Sequence, residues 1–242
     1  MIRYVLFISL FLLSACAEIT PMPPTAPGDE RDTLSDAEIQ RFADRAARQF
    51  VRVVETVEPV AEAECRNRTR DVSCDFQIVV DDRLNQPPNA FHTLDRNGQP
   101  IIAFNLALIL AVENADELAF IMGHEAAHHI AGHIERARQN ATLGAQVLAS
   151  AAATISGGDS DAIRAGQQLG AAIGRQSFTK DFELEADALG TIIAYRAGYD
   201  PVKGAKFFSR IPDPGNRFLG THPPNAARIE TVRRVAAGLQ GS

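Results

Sequence analysis

The pattern that most constrains this chain is His124-Glu125-Ala126-Ala127-His128, set inside a run with helical periodicity. Residues i and i+4 of a helix lie on one face, so two imidazoles are presented together. A pair so placed can hold one zinc ion at ~2.0–2.1 Å. Glu125 sits one position on, beside the metal and not on it. There it can take a proton from an attacking water and pass it to a leaving amine. The bland alternative is two histidines on an ordinary helix.

Zinc needs a third protein ligand. One class of site takes a histidine ten positions after the first, with a glycine at the seventh. Those positions hold Ile134 and Ala131. Gly132 and His133 each miss the register by one residue, about 100° of helix rotation. His133 and His129 are therefore read as packed or hydrogen-bonded helix residues. The other class takes a glutamate from a later helix, and Glu183-Leu184-Glu185-Ala186-Asp187 fits it. Glu183 and Asp187 share a face. Glu183 completes a His₂Glu set, and Asp187 accepts a hydrogen bond from the second nitrogen of a ligand histidine, fixing its tautomer. Glu185 is read as part of a solvated acidic face.

Composition sets outer limits. The chain has 242 residues, 24 Lys+Arg against 30 Asp+Glu, a formal net charge of −6 and 45% hydrophobic residues. This is globular composition, not that of a disordered or collagen-like chain. The acidic balance, with no cluster of Lys and Arg, argues against nucleic acid as a partner.

The N-terminus reads as an address. Arg3 precedes an apolar run, Tyr4 to Leu13, too short to span a bilayer of ~30 Å but of the length of a signal-peptide core. Leu13-Ser14-Ala15-Cys16 resembles the bacterial lipobox, which implies that Cys16 becomes a lipidated N-terminus. No Asp follows it, which favours the periplasmic face of the outer membrane. Residues 1–15 are thus expected to be a lipoprotein signal peptide and 16–33, with Pro21, Pro23, Pro24 and Pro27, a linker. Residues 34–242 form the zinc domain. Cys65 and Cys74 remain, and an even pair in an exported chain reads as a disulfide.

The domain reads as α+β, mostly helical with a small hairpin sheet. Ser35 and Glu38 make a capping-box pattern that opens a helix over about 35–58. Phe76 to Val80 is a strand. Residues 90–94 and 100–104 flank Asp95-Arg96-Asn97-Gly98 as a hairpin. Helices are expected at about 105–112 and 115–139. Two more lie in the Ala- and Gly-rich stretch 140–175, broken at Gly157-Gly158, and others at 181–197, 201–210 and 224–238. Asp159, Asp161 and Arg164 argue against a membrane insertion in that stretch.

At this point the chain resembles the HtpX, BepA and CAAX-prenyl-protease group of gluzincin metallopeptidases. Four segments carry the resemblance, in the same order: Pro88-Asn89-Ala90-Phe91; Asp116 to Ala119 leading into Gly123-His124-Glu125 and on to His133; Glu183 to Asp187 followed by Gly190; and Thr221-His222-Pro223-Pro224 with Arg228-Ile229. It implies that the metal glutamate is Glu183 and not Glu185. Lys180 departs from the family's usual Arg, keeping the charge but losing the planar fork.

The resemblance also implies one zinc per chain, held by His124, His128 and Glu183, with Glu125 as base. The implied activity is an endopeptidase acting on misfolded or stalled envelope proteins. Extended substrates would pair with the strand around Ala90. His222 is a candidate catalytic residue: it can donate to the oxyanion of the tetrahedral intermediate, bind zinc as a blocking fourth ligand, or merely open a helix. His92 lines the cleft or faces solvent. The alternative from another class is an envelope lipoprotein that binds assembly partners, with latent or minor protease activity.

Overall fold

A computed structural model describes residues 35–83, 85–177, 179–213, 215 and 223–241. The expected signal peptide, Cys16, the linker and His222 lie outside the described residues.

The first helix, α1 (Asp36–Arg68), opens as its sequence dictates. The Glu38 carboxylate accepts from the Ser35 backbone N–H at 2.9 Å, reaching back over the first turn. It runs ten residues beyond its expected end, through Pro59. The proline removes one backbone hydrogen bond and crowds the preceding turn. Against that, Val53, Val57, Ala61 and Cys65 form one stripe at four-residue spacing, all buried. Continuing the helix keeps this stripe in the core, and burial outweighs the local penalty. The Cys65–Cys74 disulfide then ties the end of α1 to the segment entering the sheet.

The sheet has three strands, β1 (Gln77–Asp81), β2 (Ala90–Leu94) and β3 (Pro100–Asn105), in the order β1-β3-β2. β1 runs parallel and β2 antiparallel to β3. The hairpin turn closes because Asp95 Oδ1 accepts from the Asn97 and Gln99 N–H groups at 2.7 and 2.8 Å, while Gly98 takes φ +82°. β2 is an edge strand, so one row of its backbone groups is left for another partner.

Asn105 caps α2 (Leu106–Ala111), and Asn114 caps α3 (Ala115–Ile130). Twelve of the sixteen residues of α3 are buried, so it is the central helix and not a surface one. α1 and the sheet pack on one side of it, with Val57, Phe104, Leu118 and Met122 in a common core. On another side Phe120 joins Phe208 and Val232.

The single helix expected over 115–139 is two. α3 stops at Ile130, Gly132 adopts a left-handed φ of +66°, and α4 (His133–Ser156) starts in a new direction. Glycine makes that reversal at no steric cost. The helical arithmetic that carried on to His133 therefore ends at Gly132. α4 turns at Gly157-Gly158 into α5 (Ser160–Gln176), the break placed where expected. α6 (Thr179–Arg196) follows. α7 (Pro201–Gly204) continues as a 3₁₀ turn (Ala205–Ser209), and α8 (Asn225–Gln240) closes the fold. Among the described residues no helix is long and apolar enough to cross a membrane.

α6 crosses α3 at a pair of glycines. A Cβ on Gly190 would lie 2.8 Å from the backbone nitrogen of His124 and 2.9 Å from its Cα. The two helices therefore touch backbone to backbone at His124, the first residue of the His124–His128 pair. Gly190→Ala should force them apart and cost about 1–3 kcal/mol of stability as an overpacked contact. Urea denaturation checks this, and an unchanged midpoint would contradict it.

Candidate metal centre

His124 and His128 occupy successive turns of α3 and aim their Nε2 atoms at one point, 3.1 Å apart. From α6, Glu183 brings Oε2 to 3.6 Å from His124 Nε2 and Oε1 to 3.4 Å from His128 Nε2. One ligand atom from each of the three lies within 4.8 Å of the others. Two nitrogens at ~2.0–2.1 Å on a tetrahedral ion sit roughly 3.3–3.4 Å apart, close to the separation here. The donor set, two imidazoles and a carboxylate, suits zinc or a similar divalent ion. The electrostatics agree. Burial would depress His128, but the Glu183 and Glu125 carboxylates outweigh it and raise its pKa above the ordinary histidine value. The same negative field favours a cation.

Asp187 stands one turn beyond Glu183 and is fully buried. Its Oδ1 lies 2.9 Å from His124 Nδ1 and orients that ring. The carboxylate survives burial because Arg228 grips it twice, Nε to Oδ2 at 2.8 Å and Nη2 to Oδ1 at 2.6 Å. Burial alone would raise its pKa. The hydrogen bonds from Arg228 and His124 prevail and hold it below the usual aspartate value. The Arg228 guanidinium carbon also sits over the Phe208 ring, 3.8 Å from its centroid. The sequence reading assigned Arg228 no role. A signal was present: Asn225, Arg228, Val232 and Ala236 form the buried stripe of α8. An arginine on such a stripe needs a buried anion.

His128 is held differently. Its Nδ1 faces His133 Nδ1 at 2.8 Å. His133 Nε2 lies 3.2 Å from Glu185 Oε2, which also accepts from Arg136 Nη1 at 2.7 Å. The expectation that Glu185 belongs to a merely solvated face is corrected: its side chain is 47% exposed, yet one oxygen is engaged twice. It turns inward because α4 restarts at Gly132 and sets His133 and Arg136 against α6. His129 points away from the centre and bonds the Ser73 carbonyl at 2.7 Å.

The centre opens into a cleft of about 810 Å³. Glu125 lines it beside the three candidate ligands, and Pro88 and Asn89 with Ala90 to His92 of the edge strand form one wall. Burial, with the neighbouring ring of His129 adding to it, pushes His92 down to about 3. Its Nε2 is enclosed without a hydrogen-bond partner among the described residues.

Comparison with known proteins agrees with this geometry. The profile described as Peptidase family M48 matches residues 47–236. The beta-barrel assembly-enhancing protease of Yersinia pestis is 29% identical over 179 residues, 66% of this chain and 34% of that one. Its counterpart in Escherichia coli O157:H7 is 30% identical over 177 residues, again 66% and 34%. A putative beta-barrel assembly-enhancing protease of Vibrio cholerae is 27% identical over 190 residues, 72% and 38%. The chain thus spans little more than a third of the length of these relatives.

The Asp187–Arg228 pair has a measurable consequence. Arg228→Met leaves a carboxylate buried without its cation, and unfolding free energy should fall by about 3–5 kcal/mol. Arg228→Met with Asp187→Leu should recover part of that loss. Equal stability of the single variant and wild type would contradict the pairing.

Proposed function

The chain belongs to peptidase family M48, and we propose that it is a zinc-dependent endopeptidase of the bacterial cell envelope. Its substrates would be misfolded or stalled outer-membrane and periplasmic proteins. The observation that carries the reading is the convergence of His124, His128 and Glu183 in a cleft that also holds Glu125 and one edge of a β-strand.

The chain's own residues divide the work. His124, His128 and Glu183 would hold the ion. When bound, the metal supplies Lewis acidity for the scissile carbonyl and for water. Glu125 takes a proton from the attacking water at its carboxylate and delivers it to the leaving amine. β2 accepts an extended peptide along its free edge, so backbone hydrogen bonds fix the scissile bond relative to Glu125. A folded protein cannot offer a free strand without opening, and this favours unfolded or stalled chains.

The envelope assignment rests on three supports. The Cys65–Cys74 disulfide suits an oxidising compartment. Leu13-Ser14-Ala15-Cys16 resembles a lipobox, so Cys16 would anchor the domain at the periplasmic face of the outer membrane. The relatives above carry names that place them in β-barrel assembly.

The test pairs wild type with Glu125→Gln. Both should hold one zinc per chain, and only wild type should cleave casein. A chelator should abolish cleavage, and added zinc should restore it. Undiminished cleavage by Glu125→Gln would contradict the assigned base. In cells, envelope proteins should accumulate when Glu125→Gln replaces wild type, and an unchanged envelope proteome would contradict the substrate class. His222→Ala separates the roles of that residue: lost cleavage with zinc retained marks the oxyanion role, and faster cleavage marks a blocking ligand.

A further inference from the structure

Each ligand histidine has two nitrogens, and the one turned away from the metal decides how firmly the ring is held. The two ligands of this centre are supported by different chemistry. His124 gives its Nδ1 to the buried carboxylate of Asp187. No carboxylate stands behind His128 Nδ1 among the described residues. Among the described residues, the acceptor placed for its Nδ1 is a second histidine ring, His133 Nδ1 at 2.8 Å.

We propose that His133 and Glu185 are positioning residues that fix the tautomer and ring orientation of the metal ligand His128. The proposal rests on the metal-centre reading above and adds to it a second support, through α4.

The proton bookkeeping leaves one arrangement. For His128 to present an Nε2 lone pair to a metal, its proton must sit on Nδ1. That N–H then donates to His133 Nδ1, which must carry a lone pair. The His133 proton is therefore on Nε2, where the acceptor is Glu185 Oε2 at 3.2 Å. An ionised carboxylate accepts only, so it enforces this tautomer and no other. Arg136 holds the same oxygen at 2.7 Å and keeps it in place.

Packing fixes the ring as well. His133 stacks on Phe182, with centroids 4.5 Å apart and planes 12° from parallel. The Arg136 guanidinium lies over the same Phe182 ring at 4.4 Å. The chain Arg136–Glu185–His133–His128 mirrors Arg228–Asp187–His124, with one imidazole inserted. That imidazole carries the orienting effect of Glu185 to the ligand without setting a further carboxylate beside Glu125, Glu183 and Asp187.

The arrangement depends on Gly132. Were α3 to continue unbroken, His133 would lie on a different face from His128. The left-handed turn swings α4 back so that a residue five positions on meets His128 ring to ring.

The test separates hydrogen bonding from packing. His133→Phe keeps an aromatic ring against Phe182 but removes the acceptor. His133→Asn places an amide oxygen near the lost Nδ1 and restores it. Glu185→Leu acts from the half-exposed rim and spares the core. Zinc affinity is measured on each purified chain against a competing chelator, and the visible spectrum is recorded after cobalt substitution. Thermal midpoints of the metal-free proteins monitor folding.

His133→Phe should bind zinc about 10–100-fold more weakly and shift the cobalt bands, the usual scale for loss of such a partner. Glu185→Leu should lose affinity in the same direction. His133→Asn should lie nearer wild type than His133→Phe does. Wild-type affinity and spectrum in both His133→Phe and Glu185→Leu would overturn the proposal. Equal loss in His133→Asn and His133→Phe, at unchanged midpoints, would overturn it too, because packing alone would then explain the effect. Zinc missing from the wild-type chain would overturn the metal centre itself, and this proposal with it.

Discussion

The backbone contact between Gly123 on α3 and Gly190 on α6 is the constraint on which the rest depends. Each helix carries part of the candidate donor set. His124 and His128 come from α3, and Glu183 comes from α6. Donor atoms must converge within a few ångströms for one ion to be shared. A Cβ at either glycine would meet opposing backbone at 2.8 Å. Close approach at this crossing brings Asp187 against His124 and Glu183 between the two imidazoles. Burial of α3 on nearly all sides then keeps it from sliding.

Charge around the centre is handled by pairing. Buried Asp187 is matched by Arg228, buried Glu117 by Arg210 at 2.6 and 2.7 Å, and Glu185 by Arg136. Each carboxylate sits on or beside the α3–α6 pair, and each arginine comes from another element: α8, the segment after the 3₁₀ turn, or α4. The arginines therefore tie later parts of the chain to the helices that hold the ligands. Such pairs add little net stability when intact and cost heavily when halved. Their effect here is geometric.

Much of this was legible in the sequence, for reasons of period. Residues four apart share a helix face wherever the helix goes, so His124 with His128 and Glu183 with Asp187 were readable as pairs. Asn97-Gly98 announced the hairpin for the same local reason. The misses are tertiary. Pro59 is a local stop signal, overridden by a buried stripe that only the assembled core rewards. Gly132 reads as an interior glycine until the left-handed turn is seen. His133 and Glu185 lie 52 positions apart, and nothing in either segment announces the other. Arg228 was legible as part of the C-terminal segment that carries the resemblance, but with no role attached. The carboxylate that makes it useful lies 41 residues away on another helix.

The claim at the centre of this account is that three side chains from two helices share one zinc ion. Anomalous scattering at the zinc absorption edge, from crystals of the purified chain, locates the metal directly. One peak per chain is expected, within bonding distance of His124 Nε2, His128 Nε2 and a Glu183 carboxylate oxygen. A peak elsewhere, or none in crystals grown with zinc, would contradict it.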